Sequence, residues 1–234
     1  MKKFDFHIHT CCSQHWLWGV DGLSTPREVV ETAISRGLNG IAVSDHNTTK
    51  GGLLAAKIAK KIDKNFLVIP SIEVKSRSGD VLAIGVLEEL TIRSRSLTAA
   101  EAVEQMRDKN AVIVAPHPYG REGLGLIVEK LKFDALEGFN AHILPRYNTK
   151  AKKLAQKLKL PMVASSDAHI AEEIANGITG LDMDEISIDG VKEAIRKGKT
   201  KILQEKHTKS MGRIYSKKIG ILFHAAKRPP CGEI

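Results

Sequence analysis

Short apolar runs alternate along this chain with longer segments of helical periodicity, and that alternation restricts the fold more than any other feature. The strand-like runs are FDFHIHT (4–10), GIAVS (40–44), FLVIPS (66–71), VLAIGV (81–86), AVIVA (111–115), ALEGF (135–139) and MVASS (162–166). Between them, Thr25-Pro26-Arg27-Glu28 and Thr98-Ala99-Ala100-Glu101 each carry the signature of a capping box that opens a helix. Further helices are expected over 52–62, 127–131 and 149–158, with Asp189 capping a last one through Ile195. Strands alternating with helices imply βα units and parallel pairing. About seven strands at this spacing suit a barrel better than an open doubly wound sheet. The first strand lacks the Gly-rich dinucleotide fingerprint, and GREGLG (120–125) lacks the Gly-Lys-Ser/Thr of a phosphate loop, so it reads as a flexible loop.

The chain has 234 residues, enough for one barrel-sized core. Its net charge of +9 is uneven: from Lys199 onward nine Lys/Arg face only Glu205 and Glu233, a net of +7, which leaves +2 for everything before. The expected organisation is therefore a barrel domain over 1–205 and a basic, partly amphipathic tail over 206–234, packing on the barrel or on a partner. The tail is either simply solvated or binds an anionic partner such as nucleic acid. Neither a secretory signal nor an apolar run of membrane-spanning length is expected. Three cysteines, two of them adjacent, make a poor disulfide framework, and the expectation is a reduced, cytoplasmic protein.

The histidines are distributed in a pattern. Seven of the nine, His7, His9, His15, His46, His117, His142 and His169, lie at or just beyond the ends of different strand-like runs. Glu73, Asp45 and Asp167 keep them company. In a parallel barrel those ends share one face, the face where such folds do chemistry. His7 and His9, two apart on a strand, point the same way. A single His after a strand is usually structural; the conjunction points to metal. Imidazole selects zinc, manganese, iron or similar ions over magnesium. The set exceeds what one four-coordinate ion needs, so two or three divalent ions are expected, with Glu73 as the natural bridge.

The motifs HIHT (7–10), SDHN (44–47), IEV (72–74), PHP (116–118) and SSDAH (165–169) resemble, in order, those of the PHP family, named for polymerase and histidinol phosphatase domains. That resemblance implies a distorted (β/α)7 TIM-like barrel and metal-dependent phosphoester hydrolysis at a trinuclear site. By position, His7, His9, Glu73 and Asp167 resemble the ligands of one ion. Glu73, His117 and His142 resemble those of a second, and His15, His46 and His169 those of a third. In SQHWLWGVDG (13–22) the S-x-H spacing resembles the branch of the family that uses a histidine, which implies His15, with Asp21 as the substitute ligand. Amidohydrolases also open a barrel with His-x-His, but DVLAIGV (80–86) lacks the lysine that they place on the fourth strand.

The chemistry expected is attack on phosphorus by a metal-activated hydroxide, with His7, His9, Glu73, Asp167 and His169 acting through the ions. Arg121 and Arg146 are the favoured phosphate clamps, with Lys75 and Arg77 as further cations. Asp45 supports its surroundings rather than a metal. Trp16 and Trp18 either wall the pocket, stack on a base or anchor the core, and Cys11 and Cys12 need no catalytic role. The substrate class is a small phosphomonoester or nucleotide; a nuclease using the basic tail and a non-catalytic scaffold are the alternatives. A homo-oligomer is left open.

Overall fold

In chain order the elements are β1 (Lys2–Ile8), β2 (Gln14–His15), β3 (Gly19–Val20), α1 (Pro26–Ser35), β4 (Gly40–Val43), α2 (Lys50–Ile62), β5 (Leu67–Lys75), β6 (Asp80–Ile84), α3 (Ala99–Asp108), β7 (Val112–Ala115), β8 (Ala135–Asn140), α4 (Pro145–Leu158), β9 (Met162–Ser165), β10 (Gly177–Leu181), α5 (Ile188–Arg196) and β11 (Thr200–Glu205). The computed structural model describes residues 1–15, 19–208 and 231, the side chains of residues 14, 15, 19 and 20 excepted. Trp16, Trp18 and nearly all of the expected tail lie outside the described residues.

The main sheet has the order β11-β10-β1-β4-β5-β6-β7-β8-β9. β1, β4 and β5 are parallel neighbours, as are β7, β8 and β9. β6 runs against both β5 and β7, so all six of those strands share one direction. Thr179 of β10 nearly closes the ring: its hydroxyl donates to Ala164 O at 2.9 Å and accepts from Ala164 N at 2.8 Å. The fold is thus mixed α/β around a nearly closed barrel-shaped sheet, not a run of identical βα units. β5 and β6 are antiparallel because only Ser76–Gly79 joins them, too short a link for a parallel crossover. β10 and β11 were not foreseen. GITGL carries two glycines and KILQE is largely exposed, so neither shows a strong strand pattern.

The capping boxes at Thr25 and Thr98 form as the sequence predicts, each Thr accepting from the Glu three residues on while that Glu caps the Thr backbone. α5 is capped by Ser187, not Asp189, because the Ser187 hydroxyl accepts from Gly190 N at 3.1 Å. α4 begins earlier than expected, at Pro145. Residues 125–130 form a 3-10 turn.

β1 departs from simple alternation. Its register against β4 shifts between Asp5 and Ile8. Phe4 and Phe6 stack at 5.5 Å and pack with Ile69, Leu82, Val114 and Val163. Ile8 instead joins Val29, Val30 and Ala33 of α1 and Ala55 and Ala59 of α2. The strand is buried on both faces from Phe4 onward, so Asp5 and His7 sit inside the protein, not in a solvated half. No helix among the described residues is long and apolar enough to cross a membrane.

The expectation that the cysteines stand unpaired needs correction: Cys11 and Cys231 are joined by a disulfide, 220 residues apart in sequence. Cys12 is the free one. Spacing along the chain carries no sign of a bond between its two ends.

Candidate metal centre

The C-terminal ends of the parallel strands bring the predicted residues to one place. His7 is the last residue but one of β1 and His9 follows the strand; His46 follows β4; Glu73 lies in β5; His117 follows β7; Asp167 and His169 follow β9. Glu73 is fully buried at their centre. Its Oε1 lies 2.9 Å from His117 Nε2, and its Oε2 lies 2.7 Å from His46 Nδ1, 3.3 Å from His7 Nε2 and 3.5 Å from His9 Nε2. Asp167 Oδ1 is 3.2 Å from His9 Nε2 and 3.5 Å from His7 Nε2.

Three groups of candidate ligand atoms each fall within 4.8 Å of one another: His7, His9 and Asp167; His7, Glu73 and His117; His9, His46 and His169. His7 Nε2, His46 Nδ1 and Glu73 Oε2 are buried with no hydrogen-bond partner. Buried polar atoms normally find partners, so orphans of this chemistry, facing one another, fit divalent transition ions. His142 is brought to His169 and Glu173, its Nε2 lying 2.9 Å from Glu173 Oε2. Asp21 reaches the group as well, with Oδ2 3.1 Å from His46 Nε2 and 3.5 Å from His169 Nε2. The His15 side chain lies outside the described residues. Arg121 and Arg146 are exposed, and the Arg146 guanidinium bonds the Tyr147 hydroxyl at 3.3 Å. Lys75 is nearer the centre, its Nζ held 2.7 Å from Asp80 Oδ2.

The supporting shell explains the local sequence. Asp45 accepts from Thr10 N at 2.6 Å and from Thr10 Oγ1 at 2.8 Å, fixing the loop after His9. A Cβ at Gly51 would overlap Asp45 Oδ2 and Thr10 Oγ1, so the start of α2 packs there only as glycine. Asp5 ties β1 to the β9 end through Ser166 N and Ala175 N, both at 2.9 Å. Burial pushes the Asp5 and Asp45 carboxyls up to about 6. His117 and Asp167 hold positive φ angles, +26° and +54°, conformations that cost energy and recur where surroundings dictate a side chain's aim.

Charge in the centre is strongly coupled. Burial alone would favour neutral imidazoles, but Asp167, Glu73 and Glu137 raise His7 well above its usual range. Against the same burial, Glu73 and Asp21 lift His117 and His169 respectively, each to about 9. His9 is lowered well below the usual value by burial and by neighbouring His46 and His169. Burial opposes ionisation of Glu73, yet Lys75, His46 and His7 hold its carboxyl far below the ordinary range.

Sequence reasoning missed Glu137 and Glu173. Glu137 Oε1 lies 2.9 Å from His7 Nδ1, while Oε2 accepts from His117 N at 2.7 Å and from Asn140 Nδ2 at 3.0 Å. The signal was a lone carboxylate in the apolar run ALEGF. A carboxylate that orients a ligating imidazole is typically worth about 10–100-fold in metal affinity. Glu137→Gln is therefore expected to weaken metal binding by about that factor, measured by competition with a chelating dye; unchanged affinity would remove Glu137 from the site.

The comparisons with known proteins agree with this geometry. A PHP-associated family model matches residues 145–200. The uncharacterised protein MJ1587 of Methanocaldococcus jannaschii is 30% identical over 146 residues, which cover 60% of this chain and 82% of the relative. Among solved structures, a two-domain protein of Bacteroides vulgatus containing a predicted PHP-like metal-dependent phosphoesterase superposes with a TM-score of 0.69 at 21% identity, over 87% of this chain and 65% of that one. The lesion-specific endonuclease PfuEndoQ of Pyrococcus furiosus gives a TM-score of 0.61 at 18% identity, over 100% of this chain and 68% of its own. Barrel, strand-end histidines and relatives define one class of protein. The chain belongs to the PHP family.

Proposed function

We propose that the protein is a metal-dependent hydrolase of phosphoric ester bonds in the cytoplasm, acting on a small phosphomonoester or nucleotide. The observation that carries this reading is the convergence on Glu73 of four imidazoles, with orphaned ligand atoms on both sides of the contact. His7, His9, Glu73 and Asp167 would hold one ion. His117 with Glu73 and His7 supplies donors for a second, and His46 and His169 with His9 for a third, where Asp21 adds an oxygen. The donor set suits zinc, manganese or iron. Divalent ions held there lower the pKa of water towards neutrality and neutralise charge on phosphoryl oxygens.

The chain's own groups do the rest. Glu137 fixes the His7 ring by accepting at Nδ1, leaving Nε2 to face the centre. Asp45 holds Thr10 and so the loop after His9. Lys75 keeps a positive charge beside Glu73: burial opposes it, but Glu73 and Asp80 raise its ammonium above the usual range.

A nuclease is the second reading, favoured by the likeness to a lesion-specific endonuclease and by the basic sequence from Lys199 onward. One panel separates them: p-nitrophenyl phosphate, nucleoside monophosphates and short oligonucleotides, each with Mn²⁺, Zn²⁺ or Mg²⁺. Turnover of monoesters at low salt and high salt alike supports the first reading. Cleavage of oligonucleotides with steep salt dependence supports the second. Full activity after replacing both His7 and His9 by alanine would overturn both.

A further inference from the structure

The chain's three cysteines, at positions 11, 12 and 231, meet at one point beside the metal centre. Cys11 and Cys231 are bonded, with Cα atoms 5.9 Å apart. The free Cys12 Sγ lies 2.7 Å from Cys231 Sγ and 3.5 Å from Cys231 O. Both Cys11 and Cys12 sit in the loop that leaves His9. Cys12 N donates to Thr10 Oγ1 at 3.2 Å, and Ser13 Oγ stands 3.3 Å from His9 Nδ1 while accepting from His46 N at 2.9 Å. A sulfur cluster this close to candidate ligands, yet sharing no atom with them, is a site in its own right.

We propose that Cys11, Cys12 and Cys231 form a thiol–disulfide exchange centre that tethers the C-terminal end of the chain to the ligand-bearing loop. In the exchange, the Cys12 thiolate attacks Cys231 Sγ. The Cys12–Cys231 bond forms as the Cys11–Cys231 bond breaks, and the electron pair leaves on Cys11 Sγ, which takes up a proton while Cys12 has lost one. No net oxidation occurs. Formation of the first bond consumes an oxidised low-molecular-weight disulfide, which leaves as two thiols; a dithiol reductant opens the bond again with transfer of two electrons and two protons.

Two features shape this centre. Burial and the Asp45 carboxylate, opposed by Thr10 and Lys50, push the Cys12 thiol up to about 11. Exchange is thus gated by loss of that proton. The bond also closes a covalent ring. Thr208 N donates to Ala141 O at 3.0 Å at one end, and Cys231 is bonded at the other. Between them the sequence 209–228 carries six Lys/Arg and no acidic residue. The redox state therefore decides whether Cys231, which follows this basic sequence, is covalently tied to the ligand-bearing loop.

The test uses the full chain, equilibrated in glutathione buffers from reducing to oxidising, alkylated, digested without reduction and analysed by mass spectrometry. The expected result in the oxidised wild type is a monomeric chain with Cys231 in disulfide linkage and the one alkylated thiol divided between Cys11 and Cys12. Cys11→Ser and Cys12→Ser are each expected to retain a linkage to Cys231, and Cys231→Ser to lose it. A bond only between Cys11 and Cys12, linkage only between chains, or alkylation confined to Cys12 with no linkage in Cys11→Ser would overturn the proposal. None of these readings uses hydrolysis, so they stand apart from the fate of the proposed activity.

Discussion

Replacing Glu73 by glutamine is expected to strip the protein of most of its bound metal and to lower phosphoester turnover by about 10³-fold or more. The substitution keeps the shape of the side chain and removes its charge. In the native chain the carboxylate faces four imidazoles, at distances of 2.7 to 3.5 Å. Glutamine would turn one of those oxygens into an NH₂ that cannot ligate, and it would leave the surrounding imidazoles without their shared counter-charge. Burial makes that loss severe, because no water compensates at a side chain only 1% exposed. Metal content after dialysis and the rate on p-nitrophenyl phosphate read the two effects separately. Native metal content with native turnover in Glu73→Gln would remove Glu73 from the centre of the site.

Chelation is expected to have the second largest effect, on stability. An ion that binds only the folded chain, present at about 1,000 times its Kd, adds about 4 kcal/mol. For a chain of this size that corresponds to a fall in Tm of about 8–16 °C on removal of the metal, reversed by adding the ion back. The size of the effect depends on pH, and the sign follows from the histidines. In the metal-free chain His117 and His169 titrate near 9, against an ordinary value of 6.5. Their protonated forms, paired with Glu73 and Asp21, therefore add stability that is fully present below 6.5 and lost as pH rises through about 9. The metal-free protein weakens across that window, so the gap in Tm between metal-loaded and metal-free protein widens from pH 6.5 to 9. Calorimetry at several pH values checks it; a gap that narrows with rising pH would contradict the pairing described.

The parts of the fold that were legible in the sequence are those with strong local signals. The two Thr-x-x-Glu boxes form, and the apolar runs at 40–44, 111–115 and 162–166 contain β4, β7 and β9. The strand-end placement of His7, His46, His117 and His169 followed from them, since parallel order alone puts such ends on one face. What was not legible depended on distance along the chain. β10 is held by pairing with β1 and β11 and by the bond from Ala164 N to Thr179 rather than by a strong strand pattern of its own. The register shift in β1 exists only against β4. Asp21 comes within reach of His46 through the loop that also holds Ser13, which spacing could not decide. Glu137 is one carboxylate within an apolar strand run, with no local sign that it is a hydrogen-bonding partner of three separate groups. The sulfur cluster joins residues 220 apart in sequence, a distance at which no local pattern exists to read.

The first strand carries a consequence for how the protein is made. β1 precedes its partner β10 and the loop bearing Asp167 and Ala168 by more than 150 residues; His9 and Asp167 are 158 apart. His9 N donates to Ala168 O, and Ala168 N donates to His7 O. Until Asp167 is made, His7 and His9 lack the carboxylate that completes their group. The group of His7, His9 and Asp167 is therefore completed only after the strands from β4 to β9 have been made.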